Sequence, residues 1–164
     1  MSRRFKIYLD TSVINFLFAD DAPELKVYTV DFFDNFIRTS IYETYISAFV
    51  IDEIQQTKDS RKKEALLNVV KDYSIELLPI TNSSELEELA QQYISHGAIP
   101  PKKLYDAYHI ACSVLHQIDY LVSWNFKHLA NVNREKKVIA VNTENNYMYP
   151  LRIITPLELI DYGN

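Results

Sequence analysis

Short apolar runs alternate with longer stretches of helical period along the chain. Phe5–Leu9 reads as a buried strand, after which Thr11 or Ser12 caps a helix carrying Val13, Ile14, Phe16 and Leu17. Pro23 opens a long, aromatic-rich helical stretch over about Glu24–Arg38. Thr44–Ser47 predicts a second strand, followed by helices Ala48–Gln56 and Ser60–Tyr73 and a strand-like run Ile75–Ile80. Ser83 or Ser84 with Glu87 or Glu88 supplies a capping box for helix Glu85–Ser95, and Pro100-Pro101 sets up helix Lys102–His116. Tyr120–Ser123 predicts a strand, Phe126 starts a short helix, a helical piece spans about Arg134–Asn142, and Leu151–Thr155 is the last strand. Strands alternating with helices, with no hairpin turns, predict an α/β fold: three layers, α/β/α, around a central parallel sheet. With no repeat, low-complexity tract or linker in view, residues 1–164 are expected to form one domain.

Composition narrows the chemistry. Apolar residues make up 48% and charged residues 24%, ordinary values for a globular protein. No apolar run approaches a membrane span, and MSRRFKIYLD passes straight into a strand-like run rather than a signal peptide. A lone Cys112 excludes an internal disulfide, so a reduced, cytoplasmic setting is expected. The net charge of -5 argues against a nucleic-acid coat, but not against a nucleic-acid enzyme whose acids are masked by metal ions. The basic clusters Arg3-Arg4, Arg61-Lys62-Lys63, Lys102-Lys103 and Arg134 with Lys136-Lys137 read individually as solvated surface. Only two glycines are present, which excludes the P-loop, the dinucleotide fingerprint and the nucleophile elbow. HExxH is absent too, and one cysteine makes no thiolate zinc cluster. Carboxylates, hydroxyls and scattered histidines remain.

Three acids stand out by position. Asp10 lies one residue past the first strand, where open parallel sheets bind ligands; its bland role is a helix N-cap. In YISAFVIDEI, Phe49, Val50, Ile51 and Ile54 define one apolar arc, with Glu53 inside it and Asp52 outside. A carboxylate on a core-facing arc is costly unless paired or metal-bound. In KKLYDAYHIACSVLHQ, a stripe of Asp106, His109 and Ser113 interrupts an otherwise apolar helix. Asp106 reads as a site residue, and His109 by itself as a packed, hydrogen-bonded helix histidine. Three carboxylates meeting in one crevice repel unless a cation neutralises them, and all-oxygen ligation suits Mg2+ or Mn2+.

These segments together resemble the PIN-domain family. IYLDTSVI is similar to its opening strand–acid–hydroxyl motif and ISAFVIDEI to its serine-to-glutamate helix. YDAYHIACSV resembles its central aspartate helix, DYLVSWNFKHL its fourth-strand motif and RIITPLELI its closing strand. The resemblance implies a metal-dependent ribonuclease, often the toxin of a type II toxin–antitoxin pair. Asp10, Glu53 and Asp106 match the metal-site acids, and Ser12 matches a hydroxyl that assists the first of them. Many members carry an aspartate where this chain has Asn125. Asp119 does not replace it, because six residues at strand rise set it about 20 Å away. Asn125 can offer a carbonyl oxygen to a metal or a donor to phosphate or water, or it can simply cap the helix at Phe126. Lys127 and His128 are read equally as rim contacts to an RNA backbone and as ordinary helix surface.

The leading reading is therefore an Mg2+- or Mn2+-dependent endoribonuclease in which Asp10, Glu53, Asp106 and Asn125 are catalytic, with Ser12 and His109 in support. The alternative is a non-catalytic or weakly active module that binds RNA or a protein partner, favoured by Asn125 and the acidic charge. A phosphatase with Asp10 as covalent nucleophile fits less well, since Ser12 stands where a second aspartate is wanted. Val13–Phe18 and Val27–Phe36 supply apolar surface for the core, for a homodimer or for an antitoxin helix.

Overall fold

Ile7, Tyr8 and Leu9 have no exposed surface, as a strand covered on both faces requires. In the computed structural model, which describes residues 3–160, they lie in β1 (Lys6–Leu9) at the centre of a five-stranded sheet. The other strands are β2 (Glu43–Ile46), β3 (Glu76–Leu77), β4 (Tyr120–Val122) and β5 (Arg152–Ile154). Their order is β3-β2-β1-β4-β5 and every pairing is parallel. Helices α1 (Thr11–Asn15), α2 (Pro23–Phe32), α3 (Ala48–Gln55), α4 (Ser60–Asp72), α5 (Ser83–Ser95), α6 (Leu104–Leu115) and α7 (Val132–Glu144) supply the flanking layers of an α/β/α fold.

The strand order decides where a site can form. From β1 the chain builds outward through β2 to β3, then crosses back to β4 on the other side of β1. The strand order thus reverses between β1 and β4, which stay parallel, and the carboxyl ends of those strands open a crevice there. Asp10 follows β1 and Ser123 follows β4, so both stand at that reversal.

Several local features differ from the sequence expectation. Asp10 occupies the N-cap position of α1, the bland role open to it, and displaces Thr11 and Ser12 from that position, but its carboxylate makes no capping bond there. Asn82 caps α5 by accepting from the Glu85 N–H at 3.0 Å, displacing the two serines. The stretch expected as Glu24–Arg38 changes winding, with α2 continuing into a π-helical turn over Phe33–Ile37. The third strand shrinks to two exposed residues at the sheet edge. Residues 126–129 form a hydrogen-bonded turn rather than a helix, while α7 runs longer than expected.

Of the two apolar segments, Val13, Ile14, Leu17, Phe32 and Phe33 are core. Phe18, Val27 and Val30 stay exposed. Among the described residues, no helix is long and apolar enough to cross a membrane.

Asp119 locks the end of the sheet opposite the crevice. Its two oxygens accept from both Arg3 guanidinium nitrogens at 2.9 Å, from the Tyr149 hydroxyl at 2.6 Å and from the Lys6 N–H at 2.8 Å. Burial pushes this carboxyl up, but the bonds from Arg3, Tyr149 and Lys6 outweigh it and hold it at about 2. A depressed folded value contributes stability above the ordinary value of 3.8, lost as pH falls through about 2. Asp119→Asn is therefore expected to flatten the loss of stability across that acid window. Urea midpoints measured against pH check this, and identical profiles for wild type and variant would contradict it.

Candidate active site

The crevice at that reversal of strand order is a cleft of about 480 Å³. Asp10, Glu53 and Asp106 all line it, brought there by the end of β1, by α3 and by α6. Asn125, Ser12 and His109 line it as well. Asn15, Gln56, Lys102, Lys103 and Tyr105 complete much of its wall.

Asp10 is almost fully buried and held by serines on both sides. Ser12 donates to Oδ1 at 2.5 Å and Ser123 donates to Oδ2 at 2.6 Å. Each serine oxygen in turn accepts a backbone N–H, Ser12 from Trp124 at 3.0 Å and Ser123 from Asn125 at 2.9 Å. The turn after β4 thereby orients the acid after β1. Burial raises the Asp10 carboxyl above its ordinary range, and Glu53 adds to the rise. His109 and the two serine bonds pull it back in part.

Glu53 is half-buried, as its place on the apolar arc of α3 requires, whereas Asp52 is exposed. His109 Nε2 and Thr11 Oγ1 both approach Glu53 Oε1 at 2.6 Å. Burial pushes this carboxyl up too, but the bonds from His109 and Thr11, with the nearby imidazole and Lys103, bring it below the ordinary value.

Asp106 contrasts with both. Its Oδ2 is buried and has no hydrogen-bond partner among the described residues. Burial, helped by Asp10 and Glu53, raises its carboxyl to about 6 against the opposing pull of His109 and Lys103. A buried carboxylate oxygen left unpartnered costs free energy that a cation would recover.

Asn125 is divided in role. Its Oδ1 accepts from the His128 N–H at 3.0 Å, and its backbone carbonyl accepts from Leu129 and Ala130. The side-chain oxygen is therefore engaged in capping the 126–129 turn, although the residue borders the cleft. Lys127 is exposed and His128 half-buried. Burial lowers the His128 imidazole, and Lys103, Lys127, Arg134 and Lys102 lower it further. Of those four cations, Lys102 and Lys103 line the cleft, while the Arg134 guanidinium donates to the Ala98 carbonyl at 2.6 Å. Ser113, the last member of the α6 stripe, is fully buried and donates to the His109 backbone carbonyl at 2.7 Å. It belongs to the helix interior.

Sequence reasoning missed Ser123, Thr11 and the Lys102-Lys103 pair. Lys102 and Lys103 precede α6 rather than starting it, which sets them at the cleft.

A family model, PIN domain, matches residues 7–133, a span that runs from the second residue of β1 through β4 and includes every acid described above. The chain belongs to the PIN domain family. A search of curated proteins finds no match. PIN domains form a nuclease fold family that acts on nucleic acids and generally uses divalent metal ions.

The donor chemistry of this PIN domain's cleft suits such an ion. The donors are carboxylate oxygens, which suit Mg2+ or Mn2+, and Asp106 Oδ2 is an orphaned buried acceptor among them. Among the described residues, no group of three or more His, Cys, Asp or Glu side chains stands close enough together, as placed, to hold a metal ion. Asp10, Glu53 and Asp106 share the cleft without forming a finished chelate.

Proposed function

We propose that this PIN domain, acting as one domain over residues 1–164, is a metal-dependent endoribonuclease. Asp10, Glu53 and Asp106 would hold Mg2+ or Mn2+. The observation that carries the reading is the orphaned Asp106 Oδ2 in a cleft that it shares with two other carboxylates. A divalent cation bound there would supply positive charge against phosphodiester oxygens and acidify water.

The chain's own groups do the rest. Ser12 and Ser123 fix both oxygens of Asp10, and His109 and Thr11 fix one oxygen of Glu53. Lys102 and Lys103 at the cleft, with Lys127 and His128 on the turn after Asn125, would attract the backbone of the RNA. Asn125, with its oxygen engaged in the turn, offers its amide N–H groups to a phosphate oxygen. Hydrolysis adds water across one P–O bond, leaving a phosphate on one fragment and a hydroxyl on the other. A toxin role in a type II pair is the finer reading. It draws on the family and on exposed Phe18, Val27 and Val30, which an antitoxin helix or a second copy of the chain would cover.

The test is incubation of a mixed RNA pool with purified protein in Mn2+, Mg2+ or chelator. Cleavage with either metal, lost in chelator, is the expected result. Binding of RNA without cleavage in any metal would favour the non-catalytic module instead.

A further inference from the structure

Tyr8 has no exposed surface and lies in the central strand, yet it carries a hydroxyl where phenylalanine would fill the same space. A buried hydroxyl has to find partners. Tyr8 Oη lies 2.5 Å from Ser47 Oγ and 2.7 Å from His109 Nδ1. The other ring nitrogen of His109 reaches Glu53 Oε1 at 2.6 Å, and Thr11 Oγ1 donates to that same oxygen at 2.6 Å. Ser47 is itself fixed, because as N-cap of α3 its oxygen accepts the Phe49 N–H at 3.2 Å. Four elements are thereby tied through side chains: the α3 cap, β1, α6 and the first residue of α1.

We infer that Tyr8, Ser47 and Thr11 are positioning residues for Glu53, acting directly or through His109 to aim its second oxygen into the cleft. A carboxylate only accepts hydrogen bonds, so His109 Nε2 carries the proton that faces Glu53, and Nδ1 is left to pair with Tyr8. With both nitrogens committed, the imidazole is held in one orientation. Glu53 Oε1 then receives two donors from two directions, while Oε2 receives neither. A glutamate held this way has less side-chain freedom to lose when it takes a ligand, which is how partners behind a metal ligand raise affinity. The arrangement also explains why this long side chain remains half-buried on an apolar arc.

This inference rests on Glu53 being a carboxylate of the metal site, and the test separates the two ideas. Free Mn2+ is followed by electron paramagnetic resonance during titration of wild type, Tyr8→Phe, Thr11→Val, Thr11→Ser and Glu53→Gln. Thermal melts in chelator accompany each titration. Tyr8→Phe and Thr11→Val are expected to weaken Mn2+ binding by about 10-fold to 100-fold while still melting cooperatively. Thr11→Ser keeps the hydroxyl and is expected to bind like wild type, which guards against a mere packing effect. If Glu53→Gln loses Mn2+ while Tyr8→Phe and Thr11→Val bind like wild type, the positioning role is overturned and the metal reading stands. If wild type itself binds no Mn2+, both fall.

Discussion

Asp106→Asn is expected to abolish metal-dependent cleavage while leaving the metal-free protein more stable at neutral pH. Losing one carboxylate from a site that stabilises transition-state charge by several kcal/mol reduces the rate by about 10³-fold or more. The stability gain has a separate origin. Burial raises the Asp106 carboxyl from 3.8 to about 6 in the folded protein. Below the unfolded value both states are protonated and no penalty exists. As pH rises from about 4 to about 6, the unfolded chain gives up its proton more readily and the fold loses stability. Asparagine has no such titration, so it relieves roughly 1–3 kcal/mol at pH 7 in chelator, and little at pH 4. Melting curves at the two pH values, beside RNA cleavage assays, check both halves. A variant that is inactive and also destabilised at pH 7 would point to a structural role for Asp106.

The second large effect concerns the residue that joins the site to the core. Trp124 is 3% exposed and donates from its ring Nε1 to Thr29 Oγ1 at 2.9 Å. It also packs at an angle against Phe16 and Phe126. Its backbone N–H holds Ser12, which holds Asp10. Trp124→Ala empties that space and is expected to cost about 3–5 kcal/mol, lowering the melting temperature by about 10 °C. Trp124→Phe refills most of the volume and loses mainly the Thr29 bond, so a clearly smaller drop is expected. Equal losses for the two variants would show that the hydrogen bond, rather than the packing, dominates.

The acids were legible in the sequence because they violate their surroundings. A carboxylate directly after a core strand, one on an apolar arc and one on an apolar helix each cost energy that a structure alone does not need to spend. The parallel α/β architecture was legible from short apolar cores such as Ile7–Leu9 and Leu121-Val122 separated by helical periods, whereas the edge strand β3, exposed at both residues, carried little such signal. Hydroxyls carry no such signal. Ser123 reads as the last residue of a strand and Thr11 as a cap, and only the register of β1 against β4 brings Ser123 to Asp10. Tyr8 looks like core because its ring is core; its hydroxyl acquires meaning only once α6 lays His109 beside it. Local boundaries failed where two caps competed. The Ser-x-x-Glu pattern at Ser83 and Ser84 matches the capping rule, yet Asn82 wins because its oxygen reaches the Glu85 N–H. Lys102 and Lys103 looked like the first turn of a helix, but the helix begins at Leu104, which leaves them on the segment that borders the cleft.

Asp10, Glu53 and Asp106 are proposed to share one divalent ion. Crystals grown with Mn2+ and measured at a wavelength where manganese scatters anomalously would locate that ion. An anomalous peak within coordination distance of all three carboxylates, with Asp106 Oδ2 among its ligands, is the expected result. Crystals saturated with Mn2+ that show no peak in the cleft, or a peak that none of the three acids touches, would contradict that proposal.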